Sequence, residues 1–200
     1  MIVDLWEIER GLVDDGYQTI CGVDEAGRGP LAGPVYAAAV ILPFGIDIPG
    51  LNDSKKLSKK IRERLYNEII DKALAYGIAF ADNAEIDEHN VLNATFFAMN
   101  RAIDLLSHKP DIALIDGNRD HGINHHCKCV VGGDGKSASI AAASILAKVS
   151  RDRLMAELAT EYPQYGFDKH KGYGTKLHYE RLREHGPSDI HRLTFLRKLL

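Results

Sequence analysis

The sequence predicts one α/β or α+β domain built on a single sheet. Two apolar runs of strand length come first, and later apolar runs alternate with segments whose apolar residues recur at the helical period. No internal repeat or low-complexity linker divides the 200 residues. A chain of this length can bury a core without disulfides or a structural metal. We therefore expect a single domain over residues 1–200.

Five short apolar runs are the candidate strands. They lie at residues 20–24, 35–42, 78–81, 113–116 and 127–131. The glycine- and proline-rich segment 27–34 separates the first two runs, so the second strand should return beside the first.

Helical periodicity marks the rest of the chain. A short helix is expected at residues 6–13, a long one at 139–162 and a basic one from about residue 175, and residues 52–56 are expected to form a polar loop. Ser58 and Asp87 are candidate N-caps of two further helices. Their apolar positions are Ile61, Leu65, Ile69 and Leu74 in the first, and Leu92, Phe96, Met99 and Ile103 in the second.

Composition and charge exclude several classes of protein. The chain is 45% hydrophobic and 26% charged, and no run of eighteen apolar residues is present to cross a membrane. The N-terminus lacks the basic region of a signal peptide, and an odd number of cysteines, three, fits a reducing compartment, so we expect a cytoplasmic protein. Residues 136–200 hold twelve Lys and Arg against seven Asp and Glu, although the net charge is −3. Such a basic third could face a polyanion.

Acidic residues close two of the predicted strands. Asp24 and Glu25 end the first strand, Asp116 ends the fourth, and Asp134 stands among glycines after the fifth. Ligand sites of α/β folds lie at the carboxyl ends of strands, and clustered carboxylates suit Mg²⁺ or Mn²⁺. The pattern alone leaves open whether these acids hold metal ions or serve as turn formers and helix caps.

Two other segments contain residues capable of chemistry. His and Cys crowd into residues 121–129, but without the spacing of a zinc site, so a structural role is favoured there. Residues 168–175 place Lys169, His170, Lys171 and Tyr173 between glycines, in a loop that either grips nucleic acid or is an ordinary surface loop.

Longer motifs resemble those of bacterial ribonuclease HII, a type 2 ribonuclease H. They read GVDEAGRGPLAGPV at 22–35, LNDSKKLS at 51–58, IDGN at 115–118, AAASILAKV at 141–149, HKGYGT at 170–175 and HR at 191–192. They follow the family's order over about residues 18–195, which would be the core of the domain.

The resemblance implies a fold and a set of site residues. The fold would be ribonuclease H-like, a mixed five-stranded sheet flanked by helices with a helical C-terminal part. Asp24, Glu25, Asp116 and Asp134 match the catalytic, metal-binding carboxylates. The residues that match substrate contacts are Gly27, Arg28 and Gly29 at the 2′-hydroxyl, Tyr173 stacked on the ribose, and Lys55, Ser144 and Lys148 near the substrate backbone.

The resemblance also implies an activity. The enzyme would be an endonuclease that hydrolyses the RNA strand of RNA–DNA hybrids. It would also cut 5′ to single ribonucleotides in duplex DNA, and both reactions would leave 3′-hydroxyl and 5′-phosphate ends. Two Mn²⁺ or Mg²⁺ ions, one of them bound before substrate, would assist the hydrolysis. A monomer acting in ribonucleotide excision and primer removal is expected.

Two alternatives are weaker. Ribonuclease HIII shares the fold, but it carries threonine where Arg28 stands and an additional N-terminal domain. A catalytically silent nucleic-acid-binding module would have no need of all four carboxylates.

Overall fold

The computed structural model describes residues 4–197, and these form five strands in one mixed sheet. The strands are β1 (Ile20–Ala26), β2 (Val35–Ile41), β3 (Ala75–Ala81), β4 (Ile112–Asp116) and β5 (Cys127–Val130). Their order across the sheet is β3-β2-β1-β4-β5. β2 is antiparallel to both β1 and β3, whereas β4 is parallel to both β1 and β5. The predicted mixed five-stranded sheet is confirmed.

Seven α-helices accompany the sheet within residues 4–197. They are α1 (Glu7–Asp14), α2 (Lys59–Lys72), α3 (Asn83–Asp104), α4 (Ala138–Glu161), α5 (Phe167–His170), α6 (Lys176–His185) and α7 (Leu193–Leu196). None of the helices in this described range is long and apolar enough to span a bilayer.

The core has two layers because side chains alternate between the faces of each strand. In β2, Ala37 and Ala39 pack with α3, whereas Ala38 and Val40 pack with α2 and α4. Gly22 lets α4 approach β1 closely, because a side chain there would collide with the backbone of Ser139. The helical C-terminal part packs on the last turns of α4 and on Ala32.

The register of the parallel pair positions the site. Val23 of β1 lies opposite Ile115 of β4 in the last parallel pair, so the residues that follow, Asp24 in β1 and Asp116 at the end of β4, lie side by side. The β1–β2 connection, residues 27–34, begins at the same end of the sheet.

Several local predictions are wrong in detail. The first part of α3 is capped by Asp82, whose carboxylate accepts from Glu85 N–H while the Glu85 side chain accepts from Asp82 N–H. α3 is kinked at Asn90, which has φ +65°, and the side chain of Asn90, not that of Asp87, accepts from the N–H groups of Leu92 and Asn93 and caps the part of the helix that follows. Asp87 instead accepts from the N–H groups of Leu193 and Thr194 at the start of α7. Leu74 lies beyond the end of α2 and is 58% exposed.

The polar loop predicted at residues 52–56 also contains regular structure. It holds a 3₁₀ turn, Ser54–Lys56, because the Asp53 carboxylate accepts a hydrogen bond from Lys55 N–H and caps it.

Candidate active site

Three carboxylates converge at the carboxyl ends of β1 and β4. Asp24 ends its strand's apolar run, Asp116 ends β4, and Asp134 sits on a 3₁₀ turn, Gly133–Gly135, that follows β5. One oxygen from each of the three lies within 4.8 Å of the others. Asp24 is only 3% exposed. The acids are therefore a cluster rather than separate turn formers.

Hydrogen bonds hold each carboxylate in place. Asp24 Oδ1 accepts from the N–H of Glu25 at 2.7 Å, and Asp116 Oδ1 accepts from the N–H of Gly133 at 2.7 Å. The ammonium of Lys55 lies 3.3 Å from Asp134 Oδ2. Backbone donors therefore hold two of the three carboxylates in place before any ion binds.

The electrostatics of the cluster favour a cation. Burial, and next the charges of Glu25 and Asp116, raise the pKa of Asp24 well above its usual range. Burial also raises the pKa of Asp116, with a further contribution from Asp134. Buried like charges are relieved by a bound cation, and an oxygen-only donor set is suited to a hard divalent ion. The residues present fit such a metal ion.

Glu25 lies apart from the three aspartates and faces an adjoining cavity. Its Oε1 pairs with Arg28 Nη1 at 3.4 Å. Burial raises the pKa of Glu25, and the charge of Arg28 opposes that rise. The cavity, about 240 Å³, is lined by both residues together with Asp116, Asn118 and Arg119. Glu25 therefore lies at the border of the aspartate cluster, and its carboxylate forms an ion pair with Arg28.

The connection between β1 and β2 forms a glycine turn, residues 27–34, beside the cluster. Gly27 has φ +100°, a conformation that glycine adopts at low cost. Arg28 and Gly29 are exposed. Within the described residues, no acceptor receives the main-chain N–H of Arg28 or Gly29. The turn therefore offers two open backbone donors next to the carboxylates.

Tyr173 lies against this turn. A β-carbon built at Gly29 would be 3.8 Å from Cε1 of Tyr173, and the tyrosine is 43% exposed. The carbonyl of Gly172 accepts a hydrogen bond from Leu31 N–H at 2.8 Å, which ties the tyrosine's loop to the turn. The fold thus places an accessible aromatic ring at the edge of the turn.

The remaining predicted site residues have different surroundings. Lys55 forms an ion pair with Asp134. The hydroxyl of Ser144 is buried and lies 2.8 Å from the hydroxyl of Ser54. A hydrogen bond from Ser144 also lowers the pKa of Asp24, against the larger effect of burial. Lys148 is instead paired with Asp152 at 2.6 Å, so its ammonium is engaged one helical turn further along α4.

The histidines of residues 121–129 have separate contacts. His121 packs edge-on against Phe96, and His126 packs against Tyr17. His125 lies 3.1 Å from a carboxylate oxygen of Asp104.

Two buried arginines, Arg151 and Arg192, lie behind the glycine turn and are not among the site residues that the sequence predicts. Both donate to main-chain carbonyls of this region. Arg151 lies in the charged second half of α4, beside Asp152 and Arg153, so the sequence pattern gives no sign that it is buried. Arg192 was visible only as part of the closing motif.

Comparison with known structures defines the class of protein. Ribonuclease H2 from Pyrococcus horikoshii superposes with a TM-score of 0.74 at 29% identity, over 88% of this chain and 93% of that chain. The mixed sheet with its flanking helices is thus the ribonuclease H-like fold.

Sequence comparison then specifies the family. The family model described as Ribonuclease HII matches residues 21–198. The protein named Ribonuclease HII of Caldicellulosiruptor bescii is 54% identical over 98% of this chain and 95% of its own length. That of Endomicrobium trichonymphae is 56% identical over 98% of this chain and 93% of its own length. The chain belongs to the ribonuclease HII family and is a ribonuclease H.

Proposed function

We propose that this ribonuclease H cuts on the 5′ side of ribonucleotides, both in RNA–DNA hybrids and at single ribonucleotides in duplex DNA, and leaves 3′-hydroxyl and 5′-phosphate ends. The observation that carries the proposal is a juxtaposition. A cluster of three aspartates lies beside a glycine turn that has two open N–H groups and the ring of Tyr173 at its edge.

Asp24, Asp116 and Asp134 would hold Mn²⁺ or Mg²⁺, with Glu25 completing the set when substrate is present. When bound, two such ions supply an activated water and stabilise the leaving oxygen of a phosphodiester. Lys55 would keep Asp134 oriented through its ion pair. Ser144 would support the ionised form of Asp24.

Recognition of the sugar would fall to the glycine turn. Only the 2′-hydroxyl distinguishes a ribonucleotide from a deoxyribonucleotide at one position, and it is both donor and acceptor. The open N–H groups of Arg28 and Gly29 are suited to its oxygen, and the absence of a side chain at Gly29 permits close approach. Tyr173 would stack on the neighbouring ribose.

The phosphate backbone would be held by cationic residues. The C-terminal third of the chain is basic. Arg28 and Arg119 line the cavity next to the carboxylates, and Lys148 would engage the strand after leaving Asp152. Such contacts position a duplex without reading its sequence.

In the cell this activity would excise misincorporated ribonucleotides and remove RNA primer remnants. We propose that the enzyme acts as a monomer in the cytoplasm. Its three cysteines are free, as a reducing compartment allows.

The test uses an end-labelled DNA duplex that contains one ribonucleotide, beside an all-DNA duplex and a long RNA–DNA hybrid. Each is incubated with Mg²⁺, Mn²⁺ or EDTA. A metal-dependent cut 5′ to the ribonucleotide, absent from the all-DNA control, is the expected result. Cleavage of the hybrid alone would contradict the role given to the turn and Tyr173. Binding without cleavage of any substrate would favour a nucleic-acid-binding module.

A further inference from the structure

Arg151 on α4 is a buried cation whose partners are main-chain carbonyls. Its side chain is almost wholly buried. Nε donates to the carbonyl of Pro34 at 2.9 Å, and Nη2 donates to that of Ala32 at 3.2 Å. Nη1 donates to the carbonyl of Lys171 at 3.0 Å. One guanidinium thus joins the end of the glycine turn to the loop that carries Tyr173.

Arg192, at the start of α7, also donates hydrogen bonds to main-chain carbonyls of the glycine turn. It is 0% exposed. Nε donates to the carbonyl of Gly33 at 2.9 Å, Nη1 to that of Arg28 at 2.8 Å and Nη2 to that of Gly27 at 2.6 Å. The two ends of the turn are therefore held by a single planar fork.

Neither arginine has a carboxylate within 4 Å in the part of the chain that the structure describes. Burial lowers the pKa of Arg192 to about 9, and the charge of Arg151 adds to that effect. Two adjacent buried cations without an ion pair are costly in a folded protein. Six hydrogen bonds to main-chain carbonyls, three from each guanidinium, offset part of that cost.

The planarity of the peptide group determines where the N–H groups of the turn point. In a trans peptide the C=O and the following N–H point to opposite sides. The carbonyls of Gly27 and Arg28 point at Arg192, so the N–H groups of Arg28 and Gly29 point away from it. These are the two donors left open in the turn.

We propose that Arg151 and Arg192 are positioning residues that aim the open N–H groups of the glycine turn and fix Tyr173 beside them. The pair, which we call the arginine clamp, thereby sets how strongly the enzyme selects a single ribonucleotide. This inference rests on the proposed function and adds to it the residues on which its selectivity depends. Neither arginine need touch the substrate.

Lysine replacements test the clamp because they keep the positive charge but remove the planar guanidinium group with its several N–H donors. An ammonium is a point donor and cannot span three carbonyls in the guanidinium geometry. Arg192→Lys and Arg151→Lys are made separately, so that one variant remains should the other fail to fold. Arg153→Lys is the matched control, since Arg153 lies on the same helix and pairs with Glu63 at 2.6 Å, away from the turn.

Three quantities are measured for each folded variant: kcat/KM on the single-ribonucleotide duplex, kcat/KM on a long hybrid, and Mn²⁺ affinity by calorimetry. In each clamp variant, kcat/KM on the single-ribonucleotide duplex should fall about tenfold, which is the effect of losing one charge-assisted hydrogen bond. The loss on the hybrid should be smaller, because a hybrid offers a 2′-hydroxyl in every register. Mn²⁺ affinity should match that of the wild type, and Arg153→Lys should change none of the three.

Two outcomes would overturn the clamp. In the first, the wild type cuts the single-ribonucleotide duplex, but the ratio of kcat/KM on that duplex to kcat/KM on the hybrid is the same in the variants as in the wild type. A uniform loss on both substrates would indicate general destabilisation, and it belongs to this outcome. In the second, the wild type itself does not cut at a single ribonucleotide, and the proposed function then fails together with the clamp.

Discussion

Replacing Asp24 by asparagine should abolish cleavage while making the metal-free protein more stable. Asparagine has the shape of aspartate and keeps an oxygen that accepts the N–H of Glu25, now 2.7 Å from Asp24 Oδ1. It removes the charge and replaces the second carboxylate oxygen by an amide NH2 group. A residue that served the fold alone would show the opposite change in stability, so the two readouts together separate function from structure.

The gain in stability follows from the geometry of the cluster. Oxygens of Asp24, Asp116 and Asp134 lie within 4.8 Å of one another. Two unit charges at that separation repel by about 3 kcal/mol at an effective dielectric constant of about 20. Partial protonation, reflected in the raised pKa of Asp24, reduces the relief. We expect the free energy of unfolding to rise by about 1–3 kcal/mol, roughly 2–4 °C in Tm for each kcal/mol.

Adding Mn²⁺ should reverse the order of the two proteins. A ligand at about 100 times its Kd stabilises the folded state by about 2.7 kcal/mol, so the wild-type Tm should increase with Mn²⁺. The Asp24→Asn variant should gain little, because it has lost a ligand and a charge. The two titration curves of Tm against Mn²⁺ concentration should therefore cross.

Cleavage of the single-ribonucleotide duplex supplies the second readout. Metal ions contribute several kcal/mol to such reactions, so the rate should fall by about a thousandfold or more. Asp111→Asn is the control, because Asp111 does not belong to the aspartate cluster. Its carboxylate accepts hydrogen bonds from the N–H groups of Gln18 and Thr19. Retained cleavage in Asp24→Asn, or a Tm below that of the metal-free wild type, would refute the reasoning.

Three further variants or conditions test the neighbouring parts of the site. Tyr173→Ala should reduce cleavage at a single ribonucleotide by about tenfold and reduce hybrid cleavage less, because base or sugar stacking contributes about 1–3 kcal/mol. Burial lowers the pKa of His178 and His191 to about 4, below the unfolded value of about 6.5. The unfolded chain then binds more protons, so stability should fall by on the order of 3 kcal/mol per histidine as pH drops from about 6.5 to about 4. Gly27→Ala should lower the Tm and impair cleavage, since its side chain would collide with Arg151 and its φ is +100°.

Each of these has its own check. Tyr173→Phe keeps the ring and should behave nearly as the wild type, whereas an equal loss on both substrates in Tyr173→Ala would remove the stacking role. Melting curves of His178→Asn against pH should show a shallower slope than the wild type, with the exposed His185→Asn as control; parallel slopes would contradict the assignment. Gly11→Ala places a methyl in open space and should leave cleavage unchanged, so an unchanged Gly27→Ala would show that the turn tolerates displacement.

The sequence by itself determined the elements that carry the chemistry. Apolar runs ending in Asp24 and Asp116 predicted two buried strands with acids at their carboxyl ends, and both strands are present. The helical period and a capping serine at Ser58 predicted α2, whose Leu65 and Ile69 are buried. These are local signals, because the alternation of polar and apolar residues reports burial directly.

The tertiary structure alone decided which elements meet. The parallel register of β1 and β4 brings Asp24 beside Asp116, and the 3₁₀ turn after β5 adds Asp134, whereas Glu25 turns toward Arg28. No periodicity encodes a strand's partner or its register, because pairing depends on contacts between residues far apart in the chain.

The arginine clamp shows the same limit most clearly. Arg192 binds the carbonyl of Gly27 across 165 positions of sequence, and Arg151 binds that of Pro34 across 117. Carbonyl acceptors are identical at every residue, so their availability at the glycine turn is invisible in the sequence. It arises only because the turn belongs to neither strand and leaves its carbonyls unpaired until two distant side chains pack behind it.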